Sequence, residues 1–248
     1  MVIKLKSVFR DQRSVSVLKA LVFVVLFWIQ RAHPAILSMA LFIIGVGILY
    51  LYPSFQNEKN LSSITILVVA TLFISGKLSI PLPLIVTALI SAATFYVVLN
   101  IKNVRIIQRE RWQSILAIAL TYGIILSFYL SDTSHFVSAK LALAFTGIFL
   151  VYREFFYNHF TESGFSRAEK VIYAGSIAFI GSQLLWIVGI LPLNTLNAAN
   201  CALLITASAS SLVEEKLRGQ LKIQTILLYL TVVITLLFVI FGVTKWSL

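Results

Sequence analysis

A chain of 248 residues with 59% hydrophobic residues, 12% charged residues and a mean hydropathy of +0.96 has more apolar surface than a water-soluble globule can bury. The formal net charge of +11 would suggest a nucleic-acid partner in a soluble protein, but here the basic residues lie between apolar runs. We therefore expect them to set membrane topology, and we expect no nucleic-acid partner. The single cysteine, Cys201, excludes an intramolecular disulfide and a cysteine-cluster metal site.

Long apolar segments follow one another along the chain and lack the period-two alternation of a membrane β-strand. Backbone polar groups must be paired inside a bilayer, so these segments are expected to be helices. The segments lie near residues 15–30, 35–52, 61–76, 80–99, 113–130, 136–152, 171–191, 197–212 and 223–242. The sequence therefore predicts an all-α, polytopic transmembrane helical bundle of eight to nine spans, about nine in this division, in a single domain over 1–248.

The first segment follows Lys4, Lys6, Arg10 and Arg13, as in a signal peptide. The stretch after it reads Gln-Arg-Ala-His-Pro, which lacks the small residues of a cleavage site, so we expect an uncleaved first span. With the N-terminus cytoplasmic, the outer side keeps only Arg31, Lys77, Lys140 and Lys245 of the 20 basic residues. This bias supports both the orientation and the number of spans.

The eighth segment carries small residues at every fourth position: Ala198, Ala202, Thr206 and Ser210. A thin helix lets its neighbours approach closely, and close packing is what associates helices in lipid, so we expect this helix to be central. Shorter stripes predict further contact faces at Ala119, Gly123 and Ser127, at Ala174, Ala178 and Ser182, and at Ser138, Ala142 and Thr146.

Deep polar side chains are few. Gln183 and Asn200 are expected to form a hydrogen bond between the seventh and eighth segments. The alternative is a groove for a solute, lined by Gln183, Trp186, Asn197 and Asn200. Lys19 and Lys140 lie about one turn inside their spans, where the ammonium group can reach the headgroups.

Glu214, Glu215 and Arg218 resemble the first motif of the CAAX-type intramembrane proteases, two glutamates followed by an arginine ahead of a glycine. The spacing here is EExxR instead of EExxxR, and no histidine follows His159, whereas that family has histidines downstream. We predict instead a solvated helix end with a Glu214 to Arg218 ion pair, and a solvated His159. No catalytic residue is predicted.

No cofactor or metal is predicted. Asp132 and His135 share one outer turn and His33 lies in another, so a metal bound by all three is the alternative to simple helix capping. The basic inner loop at 102–111 sets topology, with binding of anionic lipid headgroups at the cytoplasmic basic loops as the alternative.

The C-terminal third contains Ser182 to Trp186, Leu191 with Pro192, Leu217 to Leu221, and Lys245 with Trp246. It resembles an uncharacterised family of bacterial polytopic membrane proteins, a domain of unknown function, and this resemblance implies no activity. We expect a multi-pass, non-enzymatic protein of the bacterial cytoplasmic (inner) membrane, a membrane subunit or scaffold with protein partners or a homo-oligomer. The alternative is a transporter or flippase for a lipid or an uncharged small solute.

Overall fold

The computed structural model describes residues 12–33, 36–52, 61–77, 81–102, 109–131, 137–160 and 164–243. Within these ranges the chain forms nine α-helices and no strand. They are α1 (Gln12–Ala32), α2 (Ile36–Leu51), α3 (Leu61–Lys77), α4 (Pro81–Lys102), α5 (Arg109–Leu130), α6 (Val137–His159), α7 (Arg167–Ile190), α8 (Thr195–Leu217) and α9 (Ile223–Val243). Each coincides with one predicted segment, and the predicted all-α fold is confirmed.

Six of these helices, α1, α4, α5, α7, α8 and α9, are long and apolar enough to cross a membrane. Two further apolar helices, α2 and α3, are shorter. The remaining helix, α6, continues seven residues beyond the predicted segment, through Arg153 and Glu154 to His159. The chain is therefore a membrane protein built from several apolar helices, and α6 carries a polar extension at one end.

Helix ends follow the local sequence signals. Pro81 begins α4, where proline costs no hydrogen bond, and Pro192 comes just after α7. Ser166 caps α7 in a reciprocal capping box with Glu169, and the side chain of Asn194 caps α8. Gly219 follows α8 with φ of +69°, a conformation that favours glycine and ends the helix.

The described residues belong to two compact units, Met1–Leu116 and Ala117–Leu248, and the expected single domain stays a prediction. In the first unit, α1 packs against α2 and α4, and α3 packs against α4. Phe23 of α1 is fully buried, with its ring 5.4 Å from that of Phe42 and 4.9 Å from that of Phe95. These three rings join α1, α2 and α4.

Lys19 of α1 donates hydrogen bonds to the carbonyls of Leu49, at 2.6 Å, and of Tyr52. Those carbonyls lie at the C-terminal end of α2, where the helix dipole is negative. The ammonium group therefore binds the end of the neighbouring helix, and its approach to the headgroups stays a prediction.

In the second unit, α7 packs between α6 and α8, and α9 packs against α8. The small stripe of α8 is buried as predicted, with Ala202 and Thr206 fully enclosed. The α7 stripe of Ala174, Ala178 and Ser182 is also buried, which confirms that contact face. The helices approach closely at Gly181 of α7, where an added Cβ would lie 3.0 Å from Ile148 of α6 and 3.5 Å from Thr206 of α8.

The predicted contact face of α6 is wrong, because Ser138, Ala142 and Thr146 are exposed. The buried face of this helix carries larger residues, among them Ile148, Tyr152 and Phe156. The Thr146 hydroxyl donates to the Ala142 carbonyl at 2.8 Å, so this face needs no partner from another helix. The α5 stripe of Ala119, Gly123 and Ser127 is half-buried.

Candidate functional site

Three charged or ionisable side chains meet where α6 and α8 end. The carboxylate Oε1 of Glu214 accepts a hydrogen bond from Nη2 of Arg218 at 2.8 Å and lies 3.4 Å from Nε2 of His159. The same Nη2 lies 2.9 Å from His159 Nε2. We call Glu214, Arg218 and His159 the ionic cluster. The predicted i, i+4 pair between Glu214 and Arg218 is confirmed.

The prediction of a solvated His159 is wrong. Its side chain is only 2% exposed, while those of Glu214 and Arg218 are 22% and 34% exposed. The imidazole packs between aromatic rings, with centroids 5.0 Å from Phe155 and 4.5 Å from Phe160, and Arg218 lies over the Phe160 ring at 5.9 Å. The helical extension of α6 carries His159 into this position.

The same end of the unit holds a buried lysine. Lys170, in the first turn of α7, donates a hydrogen bond to the carbonyl of Phe160, just after the end of α6. Nearby, the ammonium of Lys216 lies 5.4 Å from the centroid of the Tyr173 ring, which joins α8 to α7. The ends of α6 and α8 and the start of α7 are thereby fixed to one another.

Replacing Lys170 by methionine should lower the free energy of unfolding by about 1.5 kcal/mol, because the Phe160 carbonyl loses a charged donor. The matched change Lys222→Met, at an exposed lysine on the chain between α8 and α9, should cost less than about 0.5 kcal/mol. Denaturant titration of both variants in detergent would measure the difference. Equal losses would show that Lys170 does not support the end of α6.

The chemistry of the ionic cluster follows from donors and acceptors. A guanidinium group can only donate, so Nε2 of His159 accepts from Arg218 when the imidazole is neutral. A protonated imidazole would instead donate from Nε2 towards Glu214. The nitrogen can serve one partner at a time, and the carboxylate oxygen that faces it is already bound by Arg218.

This geometry bears on the resemblance to intramembrane proteases. A histidine does reach Glu214, but it comes from upstream in the chain, and the glutamate oxygen beside it is held by an arginine. Glu215 is half-buried. Among the described residues no three His, Cys, Asp or Glu side chains are grouped so that they could hold a metal ion. The arrangement is that of a fixed helix end, and hydrolysis stays an untested alternative.

The residues predicted to line a solute groove point mostly outwards. Gln183 and Trp186 of α7 and Asn200 of α8 are exposed. Asn197 is half-buried in the first turn of α8, where its backbone N–H donates to the Asn194 side chain at 2.8 Å. The structure gives no hydrogen bond between Gln183 and Asn200, so that pairing is wrong. The groove itself stays a prediction.

Two further expectations lie partly outside the described residues. Of the three residues considered for a metal, Asp132 and His135 fall there, and His33 is exposed after α1. Most of the basic loop at 102–111 also lies outside the described ranges, which resume at Arg109. Lys140 is half-buried near the start of α6, and its approach to the headgroups stays a prediction.

One exposed face of α7 carries the Gln183 amide among mostly apolar side chains. Along it Ile172, Ser176, Phe179, Gln183, Trp186 and Ile190 are all exposed, at steps of four and three residues in alternation. We call these six residues the α7 seam. Among the described residues, no side chain or backbone group forms a hydrogen bond with the Gln183 amide. Gln183 was predicted to be a deep polar residue between α7 and α8, whereas it lies on the exposed side of α7.

Comparison with known proteins adds no assignment: no protein-family model, no curated protein and no solved structure matches this chain.

Proposed function

We propose that this chain is a non-enzymatic, multi-pass protein of the bacterial cytoplasmic membrane, and that it acts as a membrane subunit of a larger assembly or as a scaffold. The observation that carries the proposal is the exposed Gln183 in the α7 seam. An amide in hydrocarbon needs a hydrogen-bonding partner, and polar side chains of this kind associate membrane helices. The seam is thus suited to contact with another protein helix.

The ionic cluster supports the same proposal in a second way. Glu214, Arg218 and His159 bind one another, and Lys170 binds the end of α6. These contacts make the end of the second unit a fixed support for α7. A rigid α7 would present its seam with little loss of conformational entropy on association.

The proposal includes anionic lipid headgroups as partners at the predicted cytoplasmic side. Arg167, Lys216 and Lys222 are exposed at the end of the unit that holds the ionic cluster. Each basic residue near an anionic surface contributes about 1 kcal/mol of attraction. We expect these residues to orient the chain and the lipids around it.

Affinity purification from bacterial membranes in a mild detergent tests the assembly role. The tagged chain should elute with a partner at a fixed stoichiometry, and light scattering should give a protein mass above 27.7 kDa. Gln183→Leu should reduce the amount of partner that elutes per tagged chain. Gln224→Leu should not, because Gln224 is an exposed glutamine outside the α7 seam, in the first turn of α9. A monodisperse single chain in several mild detergents would contradict the proposal.

A further inference from the structure

We propose that the α7 seam binds the α7 seam of a second copy of this chain, in a two-fold symmetric dimer in which the two Gln183 amides pair. This inference rests on the proposed assembly function and names the partner for the same surface. Three observations carry it: the length of the exposed seam, the depth of Gln183 and the self-complementarity of its amide.

The seam is one continuous exposed face that runs along α7. Its six residues recur with a mean step of 3.6, the period of the α-helix, so they form one straight stripe along α7. The large side chains are well exposed, with Ile172 at 64% and Ile190 at 68% near the two ends. A partner helix could therefore contact the seam over most of the length of α7.

The depth of Gln183 argues against lipid as the only neighbour. Gln183 precedes the last residue of α7, Ile190, by seven positions, which is about 10 Å along the helix axis. A glutamine side chain is too short to lift its amide over that distance to the headgroups, and acyl chains offer no hydrogen bond. The residues from Val171 to Ile190 carry no formal charge, so two copies with a net charge of +11 would not repel along the seam.

The chemistry of the amide selects a second copy as the partner. A glutamine amide has both donors and an acceptor, so two identical amides across a two-fold axis can each donate to the other. Such an interface is isologous, with the same residues on both sides. Exposed hydroxyls behave differently: Ser176 donates to Ile172 at 2.9 Å and Thr231 of α9 donates to Leu227 at 2.8 Å, both within their own helices. Gln183 is the seam residue that needs an outside partner.

Phe179 and Trp186 lie about one turn to either side of Gln183 on the seam. Rigid rings next to a polar centre would exclude lipid from the paired amides and supply contact area at a low cost in conformational entropy. In the dimer each ring would pack beside the opposite helix, so both rings should lose contact with lipid or detergent when the copies associate.

Cysteine cross-linking in native membranes tests this arrangement. The background is Cys201→Ala, which removes the one natural thiol at a buried site beside the small residues of α8. Gln183→Cys in this background should form a disulfide-linked species of twice 27.7 kDa under mild oxidation. The matched control Leu228→Cys, at an exposed position on α9, should give about tenfold less of it, because a position outside the interface meets its equivalent only by collision.

A second measurement leaves Cys201 unchanged and does not depend on cross-linking. In detergent, Gln183→Leu should raise the dissociation constant of the dimer by about threefold to tenfold. This is the contribution expected of one hydrogen bond between membrane helices. Gln183→Asn keeps a self-complementary amide and should retain most of the affinity. Analytical ultracentrifugation at several ratios of protein to detergent gives the three dissociation constants.

The outcomes separate this inference from the proposed function. Equal cross-linking at Gln183→Cys and Leu228→Cys, or a Gln183→Leu variant that dimerises as well as the wild type, would overturn the self-pairing seam. Cross-linking of Gln183→Cys to a different protein would also overturn it, while leaving the subunit or scaffold role in place. A chain that remains monomeric with no partner of any kind would remove both.

Discussion

Replacing Gly181 by leucine should lower the free energy of unfolding by about 3 kcal/mol, at the upper end of the cost of overpacking a filled interior. A Cβ at this position would lie 3.0 Å from Cδ1 of Ile148, which is fully buried, and 3.5 Å from Thr206 on the other side. The added side chain would push α7 away from α6 and α8 at once. Close contact between helices is what stabilises a bundle in lipid, so we expect the largest loss here.

The natural thiol of Cys201 provides the measurement. It is buried in α8, so a thiol-reactive dye should label it when the second unit opens. The midpoint of labelling on heating in detergent should fall by about 9 °C for Gly181→Leu. The control is Gly175→Leu on the same helix, where an added Cβ meets nothing within 4 Å. A similar fall in both variants would show that leucine harms α7 for a reason other than contact with α6 and α8.

Replacing Glu214 by alanine should cost about 2 kcal/mol, because Arg218 and the buried His159 both lose the carboxylate that they face. The expected loss lies below that for a fully enclosed ion pair, since Glu214 and Arg218 are partly exposed. The dye-labelling midpoint should fall by about 6 °C. Arg218→Met should then cost less in the Glu214→Ala background than in the wild type, because one of the contacts of Arg218 is already lost there.

Glu215 supplies the control for this experiment. It is the next residue in α8 and is half-buried, and the structure gives it no ion pair among the described residues. Glu215→Ala should change the midpoint by less than about 2 °C. A larger fall for Glu215→Ala than for Glu214→Ala would contradict the assignment of the ionic cluster as the contact that fixes the ends of α6 and α8.

Hydropathy predicted the helices well, because a long apolar run in lipid has few alternatives to a helix. Eight of the nine helices end within five residues of the predicted segments. The exception is α6, which runs to His159 although its last turns contain Arg153 and Glu154. A hydropathy pattern ends where charge begins, whereas a helix continues as long as its backbone bonds and side-chain contacts favour it.

Side-chain partners were harder to predict than helices. The pair formed by Glu214 and Arg218 follows from a spacing of four residues, so the sequence contains it. The contact with His159 joins residues 55 positions apart and depends on how α6 and α8 pack. The sequence offered one signal for this contact: the ends of α6 and α8 were both predicted to lie on the cytoplasmic side. Gln183 was placed on the wrong face of α7, because the hydropathy of a helix that is apolar all round does not distinguish its lipid side from its protein side.

The hydrogen bond from Lys170 to Phe160 has a consequence for biogenesis. When the ribosome has delivered α6 to the translocon, the carbonyls at its end still lack the ammonium group that α7 brings. Water can bind these carbonyls on the cytoplasmic side, so we expect the end of α6 to stay hydrated until α7 has been synthesised and to become fixed only when the two helices form a hairpin. At the start of the chain the order is reversed, because Lys19 has already been synthesised when the end of α2 emerges, so the end of α2 can be fixed as soon as it is complete.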